Sequence, residues 1–247
     1  MKKFPIAAIL LIALAAFCAG AVRPQAANPS VNDILTRYVN ALGGRAALMK
    51  VTTRISKGSF EVSGISGSGT AESFSKAPNK YLSIVTIPGI GEVRRCFDGK
   101  IGWVRDPHNG VVALMGQDLA DARRTAEIDQ AVKLTQLYPK MLLKGQEPVD
   151  GWPAYVIVAE PGDGSVRRMY FDTSSGLLVR NDDEITADGA KQVTESYLSD
   201  YRDVEGVKIP FTIRQVHGET TAVVRLTDVQ VNKPVDDSVF LQPVEKK

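Results

Sequence analysis

Cysteine is nearly absent from this chain of 247 residues, with Cys18 and Cys96 the only two. Cys18 belongs to an N-terminal segment of secretory form, so the single remaining thiol excludes an internal disulfide and leaves the core to hold the fold. Histidine is as scarce. His108 precedes an Asn-Gly pair and His217 a turn glycine, too few His and Cys ligands for a three- or four-ligand zinc site. No Gly-x-Ser-x-Gly elbow occurs. Gly89-Ile90-Gly91 follows Pro88, lacks a third glycine and precedes a strand pattern, a very weak match to a phosphate loop. No metal, cofactor or catalytic residue is therefore predicted.

Long apolar runs are also missing, apart from one at the start. Met1 to Ala21 has the form of a secretory signal, with Lys2 and Lys3, the apolar run Ile6 to Phe17, and Ala19-Gly20-Ala21 as the cleavage site. Gln25-Ala26-Ala27 offers a second cut. Acylation of Cys18 is the lipoprotein alternative, against which Phe17 stands where a small residue is needed. The run is shorter than the roughly 20 residues of a bilayer span, so an exported periplasmic protein is expected rather than an integral membrane one. Once Lys2 and Lys3 are removed, the basic residues left equal the 28 acidic ones, and no positive excess remains for nucleic acid. The predicted layout is a signal over 1–21, a short linker over 22–29 and one domain over 30–247.

Ser30 and Asp33 form a capping box ahead of Ile34, Leu35, Tyr38, Ala41 and Leu42, an apolar stripe that predicts a helix stopped by Gly43-Gly44. A short second turn, Arg45 to Met49, follows. From Thr53 the period becomes two, and glycines at 58, 64, 67 and 69 suit a sheet that bends. Helical spacing returns from Asp118 through Leu134, Leu137, Tyr138 and Met141, read as one broken helical segment with Pro139 kinking or ending it. Beyond residue 143, turns at Asp150-Gly151, Gly162-Asp163-Gly164, Ser174-Ser175-Gly176, Ala187-Asp188-Gly189, Glu205-Gly206 and His217-Gly218 predict antiparallel hairpins.

Between residues 67 and 107 the turn chemistry is most specific: Gly67-Ser68-Gly69, Lys76-Ala77-Pro78-Asn79, Asp98-Gly99-Lys100, Trp103 and Asp106-Pro107. This constellation, with the closing Val235 to Pro243 segment, resembles the LolA/LolB-like superfamily of periplasmic lipoprotein carriers and receptors. The resemblance implies an α+β fold, mainly antiparallel β: a half-open curved β-barrel covered by a few helices, whose apolar interior holds acyl chains. It implies lipid or lipoprotein acyl chains as ligand, with envelope proteins as further partners. The family's K-x-P-N turn carries arginine at its second position, associated with lid closure and cargo release. Here that position is Ala77, so gated lipoprotein transfer is less supported than lipid binding.

The expected cavity lining is Phe60, Phe74, Ile84, Trp103, Leu134, Leu137, Tyr138 and Met141. These residues equally suit a filled core, because an apolar face is needed whether side chains or a ligand occupy the space. The leading expectation is a non-catalytic periplasmic carrier or binding protein for acyl chains. The alternative is an envelope scaffold or interaction module with a filled barrel core. Asp182-Asp183-Glu184, and Asp200 with Asp203, are read as solvated surface; the rival reading makes the first cluster a hydrolase's acid/base pair or a calcium site.

Overall fold

The structure, a computed structural model, describes residues 29–187 and 190–243. The signal, both cleavage points, Cys18 and most of the 22–29 linker lie outside these residues, as do Asp188 and Gly189. Helix α1 (Val31–Ala41) begins at the expected box: the Asp33 amide donates to Ser30 Oγ at 3.2 Å, and the Ser30 amide donates back to Asp33 Oδ2 at 2.9 Å. Its end is fixed by contact as well as by conformation. Gly43 has φ of 117°, and any Cβ there would strike the Gly206 carbonyl oxygen. A four-residue helix, α2 (Arg45–Leu48), follows.

Six strands come next: β1 (Thr53–Val62), β2 (Gly69–Lys76), β3 (Lys80–Ile87), β4 (Gly91–Phe97), β5 (Gly102–Asp106) and β6 (Gly110–Ala113). Helices α3 (Gly116–Ala126) and α4 (Gln130–Leu137) separate them from seven more. These are β7 (Lys140–Val149), β8 (Trp152–Glu160), β9 (Val166–Asp172), β10 (Leu178–Ala187), β11 (Ala190–Val204), β12 (Val207–His217) and β13 (Thr220–Val231). All thirteen join one curved, unclosed antiparallel sheet in the order β6-β5-β4-β3-β2-β1-β13-β12-β11-β10-β9-β8-β7.

Because β1 pairs with the last strand, the two free edges are β6 and β7, which are consecutive in the chain. The connection that carries α3 and α4 therefore runs from one edge of the sheet to the other. Every other link is a hairpin whose turn sets its own register. Asp150-Gly151 and Glu205-Gly206 take positive φ at both residues (48° and 86°, 52° and 85°), the geometry that matches strand twist.

Side chains alternate between the two faces. On one face pack all four helices, at three places: α1 and α4 against Ile157, Met169 and Phe171; α3 against Phe97; and α2 against Ile209, Phe211 and Val231. On the other face the closing 3-10 turn, Asp237–Phe240, plants Phe240 against Leu82, Cys96 and Trp103. The helical segment expected through Met141 ends earlier, at Leu137. Pro139 lacks an amide proton, and Met141 instead lies in β7 opposite Ala159.

Among the described residues no helix is long and apolar enough to cross a membrane.

Candidate functional site

The eight residues expected to line one cavity fall on two faces of the sheet. Leu134 and Tyr138 are buried, with Leu137 and Met141 packed beside them, in the cluster that joins α1 and α4 to β8 and β9. Phe60 shares that face, farther along the sheet. Phe74, Ile84 and Trp103 lie on the opposite face, under Val235, Val239 and Phe240. They do not form a single chamber. The reason is register: Ile55, Phe74, Leu82, Cys96 and Trp103 are opposite one another on consecutive strands, so they share a face that the C-terminal turn covers.

The helix-bearing face holds a continuous apolar row that alternation alone does not reveal. Phe60 is opposite Val224, Val224 opposite Ile213, and Ile213 opposite Leu198, across β1, β13, β12 and β11. Each stays half-buried although it faces the helical side. Beside Phe60 the floor is made of small residues, Gly58, Gly69 and Ala71. Gly58 is obligatory, since a Cβ there would meet the Arg225 carbonyl oxygen. The result is a shallow trough, apolar at the Phe60 end. Its other end is polar, where Arg54 and Ser56 occupy the same face of β1.

Two further clefts lie elsewhere. One of about 290 Å³ opens on the opposite face beside Val149, Trp152, Tyr197 and Val223. The other, about 240 Å³, sits by the start of α1 between Arg37, Tyr155 and Phe171.

Tyr138 has a structural role besides its packing. Its ring is approached by the guanidinium groups of Arg124, 5.9 Å from the ring centre, and Arg167, 5.6 Å away. Arg167 pairs with Asp183 of β10 and with Asp121 of α3, while Arg124 pairs with Asp163 and Asp121. Charged groups from α3, β9, β10 and the loop before β9 thus tie the helices to the sheet. Burial pushes the Tyr138 hydroxyl above its ordinary value, with the two arginines opposing.

The acidic cluster carries no free carboxylate pair. Asp182, only 4% exposed, accepts from the Tyr170 hydroxyl at 2.8 Å and from Arg180 Nε at 2.6 Å. Asp183 is held by Arg167, and Glu184 by Lys191 and Arg168. Asp200 pairs with Arg202, and Asp203 accepts from the Gly206 amide. Among the described residues no three His, Cys, Asp or Glu side chains gather to hold a metal ion.

The turn constellation acts as a set of ties. Lys76 Nζ donates to the Val235 carbonyl at 2.8 Å and pairs with Asp237 at 2.9 Å; Lys80 reaches the same carboxylate at 3.1 Å. The Pro78 carbonyl, after a cis Ala77–Pro78 bond, accepts from the Ile128 amide between α3 and α4. Asp98 Oδ1 accepts from the amides of Lys100 and Ile101, both at 2.8 Å.

Neither a family model nor a curated protein matches the sequence. Solved structures do match in shape. A DUF1329 family protein from Desulfovibrio piger aligns over 87% of this chain and 98% of its own, with 15% identity and a TM-score of 0.58. A LolA superfamily protein from Nitrosomonas europaea aligns over 87% and 99%, at 14% identity and TM-score 0.56. An outer membrane lipoprotein-sorting protein domain from Vibrio parahaemolyticus aligns over 84% and 94%, at 12% identity and TM-score 0.57. At such identities the likeness is one of architecture: the chain has the LolA/LolB-like fold.

Proposed function

We propose that this protein is a periplasmic carrier or receptor that binds an acyl chain of a lipid or lipoprotein between its sheet and its helices, without catalysis. The observation that carries this reading is the half-buried row Phe60, Val224, Ile213 and Leu198 on the helix-bearing face. Apolar side chains in mid-sheet left incompletely covered are what an acyl chain would finish packing. Leu137 and Met141, half-buried at the α4 side, extend the apolar lining. Each methylene removed from water contributes about 0.8 kcal/mol, so some ten of them leave several kcal/mol after the costs of association. Likeness in fold to the lipoprotein-sorting domain and the LolA superfamily protein supports the same reading.

A second reading, an envelope interaction module with a filled core, draws on the tight packing of Leu134 and Tyr138, which are 6% and 2% exposed. Native mass spectrometry of gently purified protein separates the two. Co-purifying lipid, together with binding of the fluorescent fatty acid cis-parinaric acid, is the expected result. A lipid-free protein that binds no such probe would leave the interaction module.

A further inference from the structure

Arg54 is the residue on this face with the least obvious reason to be there. It lies on β1 directly opposite Ser75 of β2, and Ser75 is opposite Tyr81 of β3. The next row on the same face runs Ser56, Ser73, Ser83 and Arg95 across β1 to β4. From the helical side Tyr38 of α1 approaches closely enough for its hydroxyl and the Arg54 guanidinium to interact electrostatically. An arginine, two tyrosines and several serines therefore meet under α1, at the polar end of the apolar trough.

Among the described residues no carboxylate neutralises this arginine. Arg95, Arg124, Arg167 and Arg180 each pair with a carboxylate, whereas Arg54 meets none among the described residues. Burial lowers its pKa from the ordinary value, and Tyr81 and Tyr38 oppose that; a guanidinium nevertheless keeps its charge. A desolvated charge without a counterion is destabilising, and the usual remedy is a partner of opposite sign. The tyrosines suit the same partner. Burial pushes Tyr38 up to about 12 and raises Tyr81, against Arg54 and the Tyr81 hydrogen bonds with Ser83 and Ser73, so both hydroxyls stay protonated at neutral pH.

Spacing connects this polar group to the trough. Arg54 and Phe60 are six residues apart on one strand, about 20 Å at strand rise, with Ser56 and Gly58 between them on the same face. A ligand with an acidic head at Arg54 would lay its tail over Gly58 toward Phe60 and Val224.

We propose that Arg54, with Tyr38, Tyr81 and the Ser73 and Ser83 hydroxyls, forms an anion pocket that holds the carboxylate or phosphate headgroup of the bound acyl ligand. This rests on the acyl-binding reading above and adds the headgroup class to it.

The test compares cis-parinaric acid with its neutral methyl ester on the wild-type protein and on Arg54→Gln, Arg54→Lys and Tyr38→Phe variants, each checked for native near-UV circular dichroism. The wild type should bind the acid at least about 10-fold more tightly than the ester, the scale of one charge-assisted contact. Arg54→Gln should abolish that preference, Arg54→Lys should keep part of it, and Tyr38→Phe should weaken the acid several-fold with the ester unchanged. Displacement of the probe by a lysophosphatidic acid more readily than by oleate assigns a phosphate headgroup; the reverse assigns a carboxylate. Equal binding of acid and ester by the wild type overturns the anion pocket while leaving acyl binding intact. Should neither probe bind, acyl binding fails. Titration with inorganic phosphate then decides the pocket: binding that Arg54→Gln removes retains it, and no binding overturns it.

Discussion

Arg167 stacks over Tyr138, its guanidinium 5.6 Å from the ring centre, while the same group pairs with Asp183 on β10 and Asp121 on α3. One side chain, 13% exposed, thus links both helices to the strands beneath them. Removing it leaves the Asp183 carboxylate without its cation and Tyr138 without one of its two cation contacts. Arg167→Ala should therefore cost about 3 kcal/mol, in the range for a partly desolvated ion pair broken from one side. The shift of the urea midpoint at unchanged slope measures it. A change within about 0.5 kcal/mol would mean the helices are held by apolar packing alone.

Cys96 provides a probe of the opposite face. It is 1% exposed, and its thiol donates to the Phe240 carbonyl oxygen at 3.3 Å. Burial, with Asp98 adding to it, pushes the thiol up to about 12, so almost no thiolate exists at pH 8. In the native protein the Cys96 peptide should stay unlabelled by iodoacetamide, as read by mass spectrometry. Phe240→Ala should lower stability by about 3–5 kcal/mol through the cavity it leaves and should make Cys96 label readily. Rapid labelling of the unaltered protein would show that the C-terminal turn does not seal this face.

Local chemistry made much of this fold legible. Ser30 and Asp33 announce α1, and Asp150-Gly151 and Glu205-Gly206 announce hairpins, because each is a short-range event that neighbouring residues determine. The division of residues between faces was not legible. Alternation shows which half of a strand is buried, but this sheet buries parts of both faces, one under helices and one under Phe240. Trp103 and Leu134 consequently looked alike in sequence and lie on opposite sides. Arg54 was invisible for a related reason: between Thr53 and Ile55 it reads as a solvent-facing position, and only its pairing with Ser75 and Val231 turns it inward. Met141 keeps helical spacing from Leu137, yet Pro139 and pairing with β8 draw it into a strand.

The loop before β9 should contribute to acid sensitivity. Burial pushes the Asp163 carboxyl up, but the Ser165 hydroxyl and amide and the Arg124 guanidinium outweigh it and hold the group below its ordinary 3.8. A depressed folded value means the stabilisation is complete above the unfolded value near 3.8 and is lost as pH falls through the lower folded one. Asp163→Asn should flatten the dependence of the urea midpoint on pH below about 4, with less effect on its shape near neutrality. An acid limb identical to that of the unaltered protein would place the responsible carboxylates elsewhere.

The two tryptophans report on separate surfaces, which allows the location of ligand to be tested directly. Trp103 is 1% exposed, enclosed by Leu82, Cys96, Val235 and Phe240, whereas Trp152 is 72% exposed beside the 290 Å³ cleft. In a Trp152→Phe variant the remaining emission should be blue-shifted and resistant to iodide; in Trp103→Phe it should be red-shifted and readily quenched. Ligand held over Phe60 and Val224 occupies the helix-bearing face and does not touch Trp103. Saturating oleate should therefore leave the emission maximum of Trp152→Phe unmoved while probe displacement proceeds normally. A clear shift in that variant would place the acyl chain against Trp103, on the face that Phe240 covers, and would require the C-terminal turn to move aside for cargo.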